Sequence, residues 1–123
     1  MPPTRGIICW DKKQAWDNFS QFELAWTSFD CPAKIVRLSN RGGANDQDKI
    51  HPTQKPVKLY KWLLSKYAKE GDLVLDTHLG SSSIAIACHD YGFQLTGCEL
   101  DIGYYESSVK RINDHVSQQK LIL

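Results

Sequence analysis

The chain has no long apolar run, and nothing in its 123 residues approaches the roughly 20 consecutive apolar positions of a membrane span. Its first residues, Met-Pro-Pro-Thr-Arg-Gly, carry no signal-peptide apolar segment, so an intracellular, cytoplasmic location is expected, with no membrane partner. Net charge is also scarce. At +1 it excludes a polyanion partner recognised by bulk charge, and any nucleic-acid face has to be a local patch. No C-x-x-C pair exists among Cys9, Cys31, Cys88 and Cys98. The histidines His51, His78, His89 and His115 stand at no metal-ligand spacing, so no metal is expected. Buried free thiols in a reducing compartment are the expectation. Repeats and low-complexity tracts are absent. What is left is the composition of one soluble globular domain, at the small end for an α/β enzyme.

Hydrophobic patterning divides the chain. Gly6–Trp10 reads as a buried strand, Phe22–Phe29 as a strand rich in aromatic residues, and Lys34–Leu38 as a third short strand. Residues 14–21 and 39–50 read as loops; the second holds a Gly-Gly pair and almost nothing to bury. Pro56–Lys69 is the clearest helix, with Val57, Tyr60, Leu63, Leu64, Tyr67 and Ala68 on one face and lysines on the other. A strand (Leu73–Asp76), a turn (Thr77–Ser81), a helix (Ser82–Tyr91), a strand (Gln94–Cys98) and a helix (about Gly103–His115) follow. Tyr105, Val109, Ile112 and Val116 form the apolar stripe of that last helix.

The chemistry concentrates in residues 71–113. An apolar strand carries Asp76 to its carboxyl end, the chain turns through Gly80, and a helix begins with three serines. Open α/β sheets bind ligands in this crevice. Gly80 permits close approach, and Ser81–Ser83 offer caps and donors at a helix N-terminus. Some twenty residues on, Glu99 follows a second strand, where a carboxylate accepts hydrogen bonds from ribose hydroxyls and repels a 2′-phosphate. Only one glycine lies in the turn, so the three-glycine pyrophosphate cradle is missing and a nicotinamide-dependent reductase is disfavoured. A ligand with an ammonium group and a ribose, but no phosphate, matches S-adenosylmethionine. The alternative is that Asp76 and Glu99 only cap strands and helices.

These residues resemble the DNA amino-methyltransferases that act on adenine N6 or cytosine N4, in the permuted β-type order. H-P-T-Q-K-P (51–56) looks like the family's H-x-T-Q-K-P, and L-D-T-H-L-G-S-S-S (75–83) looks like its D-P-F-x-G-S-G-T turn. G-C-E-L-D-I-G-Y-Y-E-S-S-V-K-R-I (97–112) looks like its G-x-E-x-x-x-x-Y-x-x-x-A-x-x-R-[LI] segment. I-I-C-W-D-K-K and F-E-L-A-W-T-S-F look like late strands of its catalytic half. The resemblance implies an α/β Rossmann-like S-adenosylmethionine-dependent fold. In it, 1–38 are late strands of the catalytic half, 39–50 a loop and 51–123 the cofactor-binding half. Thr53, Lys55, Asp76 and Gly80 would lie near the methionine end of the cofactor, Ser82 and Ser83 at the helix start, and Glu99 at the ribose. Leu100 and Asp101 would reach the adenine. Lys55 has a rationale of its own, since a lysine pairs with the cofactor's carboxylate. A turn and helix cap is the alternative for 51–56. The partner implied is double-stranded DNA, as in restriction-modification systems, with Arg37, Arg41 and Lys49 as phosphate contacts and Asn40 or Asn45 near bases. A solvated loop is the alternative there.

Three departures stand out. Thr77-His78 replace Pro-Phe, and Ser82 replaces the family's second glycine, which makes the turn less permissive and should crowd the ligand. The catalytic motif [D/N/S]-P-P-[Y/F/W], whose aromatic ring stacks on a flipped base, does not occur; Met1-Pro2-Pro3-Thr4 lacks both its acceptor and its ring. No catalytic residue is therefore assigned. The sheet should lack central strands and leave Leu73–Asp76 with an unpaired edge. The reading is the C-terminal part of a methyltransferase, completed by a second copy or another chain, or with its strands rearranged. The alternative is an inactive remnant or interaction module that keeps the cofactor-binding half.

Overall fold

The computed structural model describes residues 2–14, 19–40 and 54–122. The chain forms two compact units, Met1–Arg41 and Gly42–Leu123. The first holds a three-stranded sheet of β1 (Ile8–Asp11), β2 (Phe22–Ala25) and β3 (Lys34–Arg37), with β1 central, antiparallel to β2 and parallel to β3. The two-residue side-chain period buries Ile8, Trp10 and Val36 on one face. Cys9, Leu24 and Ile35 lie in register on the other, where Leu24 and Ile35 are exposed. The indole N–H of Trp10 donates to the Leu38 carbonyl at 2.8 Å, which satisfies the one polar atom of a buried ring.

The second strand is shorter than Phe22–Phe29. After Ala25 the chain leaves the ladder: the Thr27 hydroxyl donates to the Gly6 carbonyl, and the Trp26 indole donates to the Pro2 carbonyl at 2.9 Å. A Cβ at Gly6 would collide with the Phe29 carbonyl oxygen, so glycine is required for this close passage.

The second unit runs α1 (Val57–Tyr67), β4 (Leu73–Asp76), α2 (Ser83–Tyr91), β5 (Gln94–Gly97) and α3 (Ile102–Ile122). β4 and β5 pair in parallel with α2 as the crossover. α1 packs on α2 through Val57, Leu64, Ile86, Ala87 and Cys88, with Val74 and Leu95 of the strands against them. Leu59 is buried as well, although the helical face read from the sequence omitted it, while Tyr60 and Leu63 are only half-buried. Gly97 admits the Leu79 side chain, which packs where a Cβ would stand.

α3 continues well past His115, and the extension has a physical cause. His115 and Gln119, one turn apart, both hydrogen-bond Asp90 of α2 at 2.7 Å, and Lys61 of α1 pairs with the same carboxylate at 2.8 Å. Burial raises the Asp90 pKa, but these three hydrogen bonds outweigh it and hold the value down to about 2.

Among the described residues β4 pairs on one edge only. Leu73 is 78% and Leu75 67% exposed, in line with the unpaired edge read from the sequence. The four cysteines are free, but only Cys88 is buried; Cys98, just past the end of β5, is exposed, because it continues the two-residue alternation that also leaves Gln94 and Thr96 exposed. Among the described residues no helix is long and apolar enough to cross a membrane, and no cluster of three or more His, Cys, Asp or Glu could hold a metal.

Candidate functional site

A cavity of about 370 Å³ opens beside the carboxyl ends of β4 and β5. That volume lies within the range of ligand clefts, roughly 300–1,000 Å³. Three pieces of chain form it: the approach to α1 (Gln54, Lys55, Tyr60), the turn after β4 (His78–Ser81 with Ser83), and Glu99 after β5. The strands fix the last two. The Leu79 amide donates to the Cys98 carbonyl and the Cys98 amide to the Asp76 carbonyl, each at 2.9 Å, so the turn and the end of β5 hold one another in place.

Glu99 is held by backbone. One carboxylate oxygen accepts the Gly80 amide at 2.8 Å and the other the Asp101 amide at 3.0 Å. The carboxylate thus ties the turn after β4 to the segment after β5, at the spacing the sequence singled out. Asp76, at the strand tip, is half-buried and accepts the His78 amide at 2.9 Å. Burial, and then the negative charge of Asp76, push the Cys88 thiol pKa up, so that thiol stays protonated.

Ser82 departs from expectation in an informative way. Its backbone is left-handed, with φ +62° and ψ +31°, directly after Gly80 at φ +57° and Ser81. A side chain there costs about 1–2 kcal/mol, which glycine avoids. Helix-capping serines use extended backbone; this one does not, and it makes no side-chain cap bond to α2. Its hydroxyl is fully buried and has no hydrogen-bond partner among the described residues. The replacement of glycine therefore acts through strain and an orphaned hydroxyl, not by crowding the cavity, which Ser82 does not line.

Of the residues singled out in the sequence, the cavity brings together Lys55, Gly80, Ser83 and Glu99. Asp76, Ser82 and Asp101 do not line it. Asp101 is exposed and accepts the Tyr104 amide at 2.9 Å, the geometry of a cap on α3. Thr53, Arg41, Asn45, Lys49 and His51 lie outside the described residues. Arg37, in the other unit, stands 3.7 Å from Asp11 on the neighbouring strand. Sequence reasoning gave no site role to Gln54 and His78, although both lie inside the quoted motifs, nor to Tyr60, which it placed on the apolar face of the helix.

Against this geometry, comparison with known proteins is decisive. A DNA methylase family model, N6_N4_Mtase, matches residues 7–110. The chain belongs to the DNA methylase family. Type II methyltransferase M.HpaI of Haemophilus parainfluenzae is 30% identical over 82 residues, 67% of this chain and 26% of that protein. DNA adenine methyltransferase YhdJ of Escherichia coli K12 is 31% identical over 78 residues, 62% of this chain and 26% of that protein. The crystal structure of the M1.HpyAVI–SAM complex superposes with a TM-score of 0.67 at 20% identity, covering 87% of this chain and 61% of that one. A further M1.HpyAVI crystal structure gives 0.59 at 17%, covering 87% and 58%. The likeness establishes the fold of this chain as α/β and Rossmann-like in part. The chain spans about a quarter of the length of the curated relatives it matches.

Proposed function

We propose that the cavity between Lys55 and Glu99 binds S-adenosylmethionine, and that the chain serves methyl transfer to an amino group of double-stranded DNA, adenine N6 or cytosine N4. The observation that carries this reading is Glu99, a carboxylate aimed by two backbone amides at the edge of a ligand-sized cavity. A carboxylate has about four acceptor sites and no donor, the kind of partner that ribose hydroxyls need. The residues present fit the cofactor. Lys55 offers a cation for its carboxylate, Gly80 removes a side chain from the turn, and Ser83 brings a hydroxyl. We assign Thr53 and Asp76 to the methionine end and Asp101, with Leu100, to the adenine side. When bound, the cofactor supplies an electrophilic methyl group. The solved SAM complex of M1.HpyAVI, which shares the fold, supports the choice.

The 123 residues contain no D-P-P-[YFW] segment to accept hydrogen bonds from the target amine. Transfer then depends on such a segment supplied from outside these residues, and the edge of β4 that is open among the described residues offers an added strand a place to pair. Arg37, Arg41 and Lys49 are proposed phosphate contacts, and the cytoplasm is the proposed location. The missing motif equally favours a second reading, a non-catalytic module that keeps cofactor binding. Equilibrium dialysis with tritiated S-adenosylmethionine, followed by tritium transfer to duplex DNA, tests both. Retention lost in Glu99→Ala supports the site; equal retention removes it. Binding without transfer favours the second reading. Light scattering that gives a monomer at high concentration counts against strand pairing between copies.

A further inference from the structure

Two α3 residues outside the cavity grip the turn that shapes it. The Ser108 hydroxyl, fully buried, donates to the Gly80 carbonyl at 2.6 Å. The Arg111 guanidinium donates to the Ser81 carbonyl at 3.0 Å and the Ser83 hydroxyl at 2.9 Å, with the Ser81 hydroxyl at 3.4 Å. These are successive carbonyls, and each peptide plane is set by the ψ of one residue and the φ of the next. Fixing the Gly80 carbonyl fixes ψ of Gly80 and φ of Ser81. Fixing the Ser81 carbonyl fixes ψ of Ser81 and φ of Ser82. The second is the left-handed torsion, held on a residue whose buried hydroxyl finds no partner among the described residues. A rotation of that peptide would relieve Ser82 and reorient the turn, and the grip from α3 opposes it. Backbone strain of this kind persists only where the surroundings over-determine it. A guanidinium, with five donors in a rigid fork, suits the task better than an ammonium.

We propose that Ser108 and Arg111 are positioning residues: they hold the Gly80–Ser83 turn in its cavity-forming shape against the strain at Ser82, and so set cofactor affinity without touching the cofactor. The affinity clause rests on the cofactor reading above; the grip on the turn does not.

Two variants remove donors while keeping bulk, Arg111→Met and the milder Ser108→Ala. Lys110→Ala, which removes a neighbouring exposed cation of α3, is the control. Hydrogen-exchange mass spectrometry of the ligand-free chain reads the grip. Amides of 79–83 should exchange about tenfold faster in either variant but not in the control, while α1 and β5 keep their protection. Uniform acceleration everywhere, or an unchanged turn, would overturn the proposal. Added to Ser82→Gly, which tolerates the torsion, Arg111→Met should accelerate the turn less; an equal effect in both backgrounds refutes the link to strain. Calorimetry with S-adenosylmethionine should show roughly tenfold weaker binding in Arg111→Met. Unchanged affinity with a loosened turn refutes the affinity clause. A wild-type chain that binds no S-adenosylmethionine sinks the cofactor reading, and exchange still decides the grip.

Discussion

Replacing Ser82 with glycine should stabilise this protein, and the magnitude follows from two separable costs. The left-handed torsion at φ +62° costs a residue with a Cβ about 1–2 kcal/mol. The fully buried hydroxyl, without a partner among the described residues, costs about 1–3 kcal/mol in lost solvation. Against these, glycine loses more backbone entropy on folding, about 0.5–1 kcal/mol. The balance is a gain of about 2 kcal/mol for Ser82→Gly. Ser82→Ala removes the hydroxyl but keeps the Cβ, so it should gain only about 1 kcal/mol. Urea unfolding followed by circular dichroism resolves the pair, and scanning calorimetry should place the glycine variant roughly 5–10 °C higher in Tm. The order glycine above alanine above wild type is the signature. If alanine matches glycine, the torsion costs no more than the backbone entropy glycine loses; if both melt with or below wild type, the strain argument fails.

Other outcomes follow from the same geometry. Asp90 has its carboxyl held near 2 in the fold against 3.8 in the unfolded chain. A depressed carboxylate contributes stability above the unfolded value and loses it as pH falls toward 2. Asp90→Asn should therefore destabilise by about 2 kcal/mol at pH 7 and much less at pH 2; an equal effect at both would contradict it. Glu99→Ala should weaken S-adenosylmethionine binding at least about tenfold, as expected for a charge-assisted bond, with melting as the control for folding. A thiol reagent at pH 8 should label exposed Cys98 quickly and leave buried, protonated Cys88 untouched until unfolding; early labelling of Cys88, read by mass spectrometry, would contradict its burial.

What the sequence disclosed and withheld has physical reasons. Leu73–Asp76 was legible to the residue, because an apolar run ending in Asp, a Gly turn and serines is a local pattern. Glu99 was legible from its spacing after β5. The end of α3 was not, since its last turns are held by Asp90, a residue about 30 positions away. The β2 terminus was missed because aromatic residues favour strands while the Thr27 and Trp26 side chains draw the backbone away. Ser82 was flagged as a departure from glycine, yet its cost was misread as crowding; a torsion angle cannot be read from residue type alone. Arg111 matched the family's segment and Ser108 stands where that segment has alanine, but their bonds to the turn exist only in three dimensions.

The central claim is that Lys55, Gly80 and Glu99 frame a cofactor site, and amide chemical shifts test it most directly. S-adenosylmethionine titrated into the ¹⁵N-labelled chain should shift Lys55, Leu79, Gly80 and Asp101, the last two being the donors to Glu99. The same residues should stay still in Glu99→Ala. Saturation with no shift among these amides, or shifts confined to other parts of the chain, would contradict the account.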